Sequence, residues 1–190
     1  MSLVNKKEVK KFLGYDKDTH DGLIDDTIVQ VEDFIENDKF NGTAFDEASS
    51  YESKTEKYDG DGTSKLLLDR VPARVITSIY MNSDTPRVYN DSDDLVSSDN
   101  IILDIKMGIV ILDGLTFTKG VQNIAITYTA GWTVTDAPDR LKQAIIRYVV
   151  ADVLEAIGGI NLVEGQDFFY KPKKLRDQAD KYIEQLVVYR

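Results

Sequence analysis

The chain has 190 residues, 42% of them hydrophobic, which allows one domain with a substantial core or two small ones and excludes global disorder. It has no cysteine, which excludes disulfides, thiolate metal sites and cysteine nucleophiles. The formal net charge of −10 disfavours sequence-reading DNA recognition, because phosphate binding needs clustered lysine and arginine.

Two amphipathic helices are predicted near the N-terminus. Residues 5–14 predict a short helix in which Asn5 caps the first turn and Glu8 completes a capping box. Residues 22–38 predict a longer helix with Asp21 as its cap. Its apolar stripe is too wide for the first helix to cover, so helices from elsewhere in the chain are expected to pack on it.

A polar stretch follows these helices. Residues 41–63 are rich in Gly, Ser, Thr and Glu and predict a long loop, with 41–57 as its flexible part. The phrase Asp59-Gly60-Asp61-Gly62 contains calcium-loop residue types, but it lacks the further ligand and the terminal glutamate of an EF-hand. We therefore expect the glycines to form a tight turn that enters a strand.

The middle of the chain predicts an antiparallel β region. The candidate strands are Lys65–Leu68, Arg74–Met81, Arg87–Tyr89, Ile101–Ile105, Ile109–Leu112 and Gln122–Thr129. Lys106-Met107-Gly108 predicts a hairpin between two of them. Antiparallel pairing is expected because the connections are too short for crossover helices.

Two more helices are predicted after the β region. Asp136 is the expected cap of the first, Pro138 is placed in its first turn, and it should run to about residue 157. Asp152 interrupts its apolar stripe, either as a boundary residue or as a partner for a nearby lysine. The last helix is expected to start near Pro172.

The predicted fold class is therefore α+β. Residues 1–40 and 136–190 are expected to form a helical bundle of two N-terminal and two C-terminal helices. Residues 58–133 are expected to form an inserted antiparallel β subdomain, and residues 41–57 a flexible loop between them.

Catalytic chemistry has little basis in the sequence. His20 is the only histidine and lies in a polar connector, so a zinc site without thiolates is not expected. Gly60 to Lys65 lacks the spacing of a phosphate-binding loop and precedes a strand rather than a helix. We predict no enzyme activity, no catalytic residue, no metal and no cofactor.

Charge is unevenly distributed along the chain. From Asp84 to Asp104 there are six acidic residues and one basic residue, a net charge of −5. The candidate acidic segment comprises Asp84, Asp91, Asp93, Asp94 and Asp99. It is interpreted either as a solvated surface or as the wall of a channel through which DNA slides without binding.

A basic and aromatic segment lies near the C-terminus. Lys171 to Arg190 carries six basic and three acidic residues, a net charge of +3. The candidate contact residues are Phe168, Phe169, Tyr170, Lys171, Lys173, Lys174 and Arg176. The aromatic residues either pack on the core of their own domain or contact another subunit or partner.

Several phrases, taken in order and spacing, resemble a known family. They are Lys10-Lys11-Phe12-Leu13-Gly14-Tyr15, Phe34-Ile35-Glu36-Asn37, Leu66–Pro72, Gly108–Gly114, Tyr128–Trp132 and Pro138–Tyr148. Together they resemble the head-tail connector proteins, also called adaptor or head completion proteins, of tailed bacteriophages and prophages. These phrases are structural, so no catalytic residue carries over.

The resemblance implies a function in assembly. Such proteins dock as a ring of about a dozen subunits under the portal protein, extend the DNA channel and offer a platform for a stopper or tail-completion protein. The implied location is the head-tail interface of the virion, after synthesis in the bacterial cytoplasm. DNA would be passing cargo only, and no membrane partner is expected because no apolar stretch approaches about 18–20 residues.

Two alternatives stay open from the sequence. The chain could be another neck or tail-completion protein of the same module, which would bind a tail component and ignore the portal. It could also be a small cytoplasmic metal-dependent enzyme or ligand-binding domain, which would have a pocket with convergent polar groups.

Overall fold

The computed structural model describes residues 2–43, 45–46, 51–82, 88–89, 91–157 and 171–187. The chain divides into two compact units, one formed by Met1–Ser49 with Trp132–Arg190 and the other by Ser50–Gly131. We call them the helical unit and the β unit. Helices and antiparallel sheets occupy different parts of the chain, so the fold class is α+β, as predicted.

The helical unit contains four α-helices within the described residues. They are α1 (Lys6–Leu13), α2 (Asp21–Phe34), α3 (Asp139–Ala156) and α4 (Pro172–Val187). A 3₁₀ turn, Asp18–His20, precedes α2, and a π-helical turn, Ile35–Lys39, continues it.

Eight strands complete the described secondary structure. They are β1 (Phe45–Asp46), β2 (Glu52–Gly60), β3 (Lys65–Leu67), β4 (Ala73–Met81), β5 (Ile101–Asp104), β6 (Ile109–Leu112), β7 (Gly120–Ala130) and β8 (Trp132–Thr133). The short strands β1 and β8 pair in parallel within the helical unit. The other six belong to the β unit.

The first helix forms as its sequence predicts. Asn5 Oδ1 accepts a hydrogen bond from the Glu8 amide at 3.1 Å, and Glu8 Oε2 accepts one from the Asn5 amide at 2.9 Å. Gly14 ends the helix in the left-handed region, with φ of 66°. The capping box and the glycine together satisfy backbone groups that the helix itself leaves free.

The expected caps of α2 and α3 are wrong. Asp21 lies inside the first turn of α2, and its carboxylate is 2.8 Å from Lys10 Nζ. Asp136 Oδ1 accepts hydrogen bonds from the amide of Thr133 at 2.6 Å and from its hydroxyl at 2.9 Å. The Asp21 carboxylate is therefore held by a lysine of α1, whereas the Asp136 carboxylate is held by a threonine three residues earlier. Pro138 itself occupies the N-cap position of α3.

The core of the helical unit is built around α3. Leu141, Ile145 and Val149 repeat at helical spacing on this helix and are fully buried. Ile24 of α2 and Leu175 of α4 belong to the same core cluster. Helix α3 therefore covers the wide apolar stripe of α2, as expected for a helix too apolar to be served by α1 alone.

The β unit consists of two three-stranded antiparallel sheets. One has the order β2-β7-β4 and the other β3-β6-β5. Ile124 and Ile126 of the first sheet share a core with Leu66, Val110 and Leu112 of the second. The predicted hairpin is confirmed, since β5 and β6 pair directly across a turn with Gly108 at φ of 63°.

The long polar loop predicted over 41–63 is wrong over much of its length. Residues 52–60 form β2, which pairs with β7 from Glu52 opposite Ala130 to Tyr58 opposite Ile124. The described side chains of β2 alternate between exposed and half-buried positions, but charged residues occupy both faces of the strand, so the alternation does not show in the sequence. The predicted strand Arg87–Tyr89 is also absent, since residues 88–89 are not in a strand and residue 87 lies outside the described residues.

The glycine-rich phrase at the end of β2 makes a tight turn, as predicted. Asp61 Oδ1 accepts hydrogen bonds from the Thr63 amide and the Thr63 hydroxyl, both at 2.7 Å. Gly62 has φ of +86°. A Cβ on Gly60 would lie 1.8 Å from the carbonyl oxygen of Thr118, so only glycine fits where β2 ends.

Candidate interaction surfaces

Metal-ligating side chains are not clustered within the described residues. No group of three or more His, Asp or Glu side chains within them could hold a metal ion. His20 lies in the turn before α2, with its ring centroid 6.0 Å from that of Tyr15. Among the described helices, none is both long and apolar enough to cross a membrane.

A partly buried ionic cluster lies in the β unit. Glu56 of β2 accepts hydrogen bonds from the hydroxyls of Tyr58, at 2.6 Å, and Tyr128. Arg70 Nε lies 2.8 Å from Glu56 Oε1, and both side chains are less than a fifth exposed. The Arg70 Nε–H has no aligned acceptor within the described residues, so charge rather than a directed hydrogen bond holds this pair.

The same cluster fixes the backbone after β3. The Asp69 amide donates to the Tyr58 hydroxyl and the Arg70 amide donates to the Tyr128 hydroxyl, both at 3.2 Å. Burial, followed by the hydrogen bond to Glu56, raises the pKa of Tyr58 and of Tyr128. Neutral phenols pinned to a carboxylate and to backbone amides are structural groups, so we assign the cluster to stability rather than to chemistry.

The predicted basic segment begins α4. Lys171, Lys173 and Lys174 are exposed, and the first turn of the helix has no acidic residue. Phe168, Phe169 and Tyr170 lie outside the described residues. The contact predicted for this segment stays a prediction.

Arg176 has a defined partner within its own unit. Its guanidinium lies 2.6 Å from Asp152 and 2.7 Å from Glu155, both on α3. Asp152 is therefore paired with an arginine rather than with the lysine considered from the sequence. These ion pairs join α3 to α4, and they leave the lysines rather than Arg176 available at the start of the helix.

The predicted acidic segment lies beside β4. Asp91, Asp93 and Asp99 are exposed in or next to short 3₁₀ turns, and Asp94 is half-buried. The segment is attached to the sheet through the Val96 amide, which donates to the Ile79 carbonyl at 2.9 Å. Asp84 lies outside the described residues.

Sequence reasoning missed the outer face of α2. Besides Gly22, the exposed residues on this helix and its π-helical extension are Asp25, Asp26, Val29, Gln30, Asp33, Phe34, Asn37 and Asp38. Val29 is 66% exposed and Phe34 is 38% exposed, although both are apolar. The sequence does indicate this face, because the aspartates lie outside the apolar stripe of α2 and Val29 lies among them.

A groove runs along this face. Its volume is about 920 Å³, and it lies between residues 2–7 and α2, with Val29, Asp33 and Glu36 along one side. Glu32 closes its floor, accepting hydrogen bonds from the Ser2 hydroxyl at 2.8 Å and the Val4 amide at 3.3 Å. Burial raises the pKa of Glu32 despite these bonds.

A second missed surface lies on the sheet β3-β6-β5. Leu67, Ile102, Ile109 and Ile111 lie on its outward face, opposite the buried Leu66, Val110 and Leu112. Leu67 and Ile102 are each about half exposed. The runs Lys65–Leu67 and Ile109–Leu112 are too short for their apolar residues to reveal which face is solvent.

Comparison with known proteins identifies the family. The sequence model of the head completion protein family matches residues 2–150, which is most of the chain and includes α1, α2, the β unit and the first two-thirds of α3. The chain belongs to the head completion protein family. Helix α4 lies beyond the matched residues, so its features are not supported by this match.

Solved structures add the fold. A chain from the neck of an empty GTA (gene transfer agent) particle, computed with C6 symmetry, superposes with a TM-score of 0.51 at 13% identity, covering 85% of this chain and 78% of that one. A chain from the neck of a native GTA particle, computed with C12 symmetry, gives 0.48 at 14% identity over 84% and 78%. A comparison with curated proteins gives no match.

Family membership gives the chain a structural role in head completion. The same α+β fold occurs in the particle neck of the first of these structures. The surfaces described above are therefore candidates for the contacts of this head completion protein with other proteins.

Proposed function

We propose that this chain is a head-tail connector. It docks as a ring under the portal at the capsid vertex of the virion, continues the DNA channel, and presents a platform to a stopper or tail-completion protein. The observation that carries the proposal is the family match over residues 2–150. A ring of identical subunits with closed cyclic symmetry suits a component that must continue a symmetric portal.

The surfaces of the described residues support an assembly role. Exposed charge and exposed apolar side chains occur together on α2, and the start of α4 carries three exposed lysines. Such mixed surfaces are typical of protein–protein contacts. The basic start of α4, with Phe168–Tyr170 before it in the sequence, is our candidate for contact with the portal or with a neighbouring subunit.

The acidic segment has a proposed role in DNA passage. With Asp91, Asp93 and Asp99 exposed, a ring would present a band of negative charge wherever this segment faces the lumen. DNA would slide past such a wall without the counterion release that stabilises binding. Replacing the four described aspartates and Asp84 by asparagine should slow ejection, and unchanged ejection would place the segment on the solvent side.

The direct test mixes the purified chain with the portal protein encoded in the same genome. Negative-stain microscopy should show an additional ring of density on one end of the portal. A matched reference is the portal with this chain unfolded by heat and cooled, which controls for nonspecific density.

Each result has a clear consequence. Added ring density supports the connector. A chain that leaves the portal bare but binds a tail component would instead be another neck or tail-completion protein. A rise in melting temperature with a small ligand or metal, without binding to either partner, would reopen the enzyme or ligand-binding alternative.

A further inference from the structure

The outer face of α2 and the start of α4 carry charges that their own helices disfavour. A helix has a partial negative charge at its C-terminal end and a partial positive charge at its N-terminal end. The last turn of α2 contains Asp33 and no basic residue, and Asp38 follows in the π-helical turn. Lys39, the last residue of that turn, is paired with Asp180 and lies 5.5 Å from the centre of the Phe34 ring. The first turn of α4 contains Lys173 and Lys174 and no acidic residue.

These charges have no ionic partner among the described residues. The ion pairs within that part of the helical unit join Lys39 to Asp180, Arg176 to α3, and Lys6 and Lys10 to aspartates in the start of α2 and in the 3₁₀ turn before it. None of them involves Asp33, Asp38 or the lysines at positions 171, 173 and 174. The Asn37 side-chain amide donates to the Asp33 carboxylate and to the Asp33 backbone carbonyl, both at 3.0 Å.

Apolar contact area accompanies the acidic end. Val29, at 66% exposed, lies one turn before Asp33, and Phe34 is 38% exposed beside it. Val29 and Asp33 line one side of the groove of about 920 Å³, and Lys6 and Lys7 line the other side. A basic segment could place its ammonium groups at the aspartates and lay its lysine stems over the apolar side chains.

We propose that the outer face of α2, defined by Val29, Asp33, Phe34 and Asp38, binds the first turn of α4 from a neighbouring copy of this chain. The inference rests on the proposed ring. Each copy has one acidic end and one basic end, so a closed ring gives every end one partner. Because the two surfaces differ, the contact is head-to-tail, the type that generates cyclic assemblies rather than two-fold dimers.

The absence of native cysteine allows a direct test by cross-linking. A variant with both Asp33→Cys and Lys174→Cys is assembled on the portal and treated with a short bis-maleimide. Head-to-tail contact should give a ladder of dimers, trimers and larger species in denaturing gels. Each single-cysteine variant should stay monomeric, and so should the matched pair Lys11→Cys with Gln178→Cys, whose native residues are also exposed.

The outcomes separate this contact from the connector proposal. Rings visible on the portal without a ladder would overturn the contact and leave the connector intact. A monomer carrying an internal cross-link, identified by peptide mass, would show that the two ends meet within one chain and would also overturn it. If no ring forms on the portal, both proposals fail.

A charge exchange provides a second measurement. Reversing Asp33 and Asp38 to lysine, or Lys173 and Lys174 to glutamate, should each reduce the ring yield on the portal by about tenfold or more, because like charges then face each other. The variant with all four reversals should recover most of the yield. Failure to recover, with each variant folded by circular dichroism, would refute the pairing.

Discussion

Replacing Glu56 by glutamine should destabilise the β unit more than any other single-charge change in it. Glutamine keeps the size of the side chain, but it removes the charge that faces Arg70 at 2.8 Å and one of the strong acceptors for the hydroxyls of Tyr58 and Tyr128. Hydrogen bonds to charged groups contribute about 1.5–3 kcal/mol each, and glutamine can still accept from one of the tyrosines.

The expected loss is about 2–4 kcal/mol. Removing one partner of a fully buried pair costs about 3–5 kcal/mol, and the lower figure applies because Glu56 and Arg70 are 17% and 18% exposed, so water partly solvates the remaining guanidinium. With a denaturant slope of about 2 kcal/mol per M urea, the unfolding midpoint should fall by about 1–2 M.

Urea unfolding followed by far-UV circular dichroism measures this shift. Asp113→Asn is the matched control, because Asp113 is an exposed acid of the same unit and its neutralisation should change stability by less than about 0.5 kcal/mol. The reasoning would be refuted if Glu56→Gln, correctly folded, unfolded at the same urea concentration as the control.

Three further predictions follow from other contacts. The raised pKa values of Tyr58 and Tyr128 keep both phenols protonated in the folded state, whereas tyrosine in the unfolded chain titrates near pH 10. The free energy of unfolding should therefore be unaffected by these groups below about pH 10. Above about pH 10 it should fall by about 1.4 kcal/mol per pH unit for each tyrosine. The double change of both tyrosines to phenylalanine should flatten that alkaline decline in urea titrations, and an unchanged slope would contradict the assignment. Arg176→Gln should lower the free energy of unfolding by less than about 1 kcal/mol in thermal unfolding, because the ion pairs of Arg176 with α3 are open to solvent. A larger loss would contradict the solvent exposure of these ion pairs. Gly60→Ala should lower the free energy of unfolding by more than about 2 kcal/mol, because the new Cβ would overlap a carbonyl oxygen. Gly22→Ala in α2 has open space around the new Cβ and should raise it by about 0.5–1 kcal/mol. Equal effects of the two substitutions in chemical denaturation would contradict both expectations.

Local signals in the sequence predicted local structure well. The capping box of Asn5 and Glu8, the left-handed Gly14 and the hairpin turn at Gly108 each depend on residues within a few positions of one another. Their interactions form in the structure because nothing distant competes for the same groups. The alternation of apolar and polar residues likewise located β7, whose inward side chains form the core.

Long-range partners account for what the sequence did not predict. Asp21 has the composition of a helix cap, but Lys10 holds its carboxylate from eleven residues away. The sequence predicts a loop at β2 because its inward residues include Glu56 and Tyr58, and Arg70, which pairs with Glu56, lies in a later segment of the chain. A buried polar pair cannot be recognised in a single segment, since neither half is favourable without the other.

The candidate surfaces likewise divide into features that a local stretch of sequence predicts and features that depend on distant residues. The basic start of α4 was visible as a run of lysines, and the structure confirms only that these lysines are exposed. The role of Arg176 as a clamp on α3 required knowing which helix packs beside it. The outer face of α2 required knowing that Val29 is left uncovered by the rest of the fold.

The parallel pairing of β1 with β8 makes the β unit an insertion that can be removed from the helical unit. Phe45 lies opposite Trp132 and Asp46 opposite Thr133, so the chain leaves the helical unit and returns to it at adjacent positions. Phe40, Phe45 and Trp132 pack their rings together at this junction, with the Phe40 and Trp132 centroids 4.9 Å apart. Because the two strands run in the same direction, a short glycine-rich link that turns back along β1 could replace everything between them. With its chain ends held side by side in this way, the helical unit can accept a different inserted domain between β1 and β8 without a change in its own core.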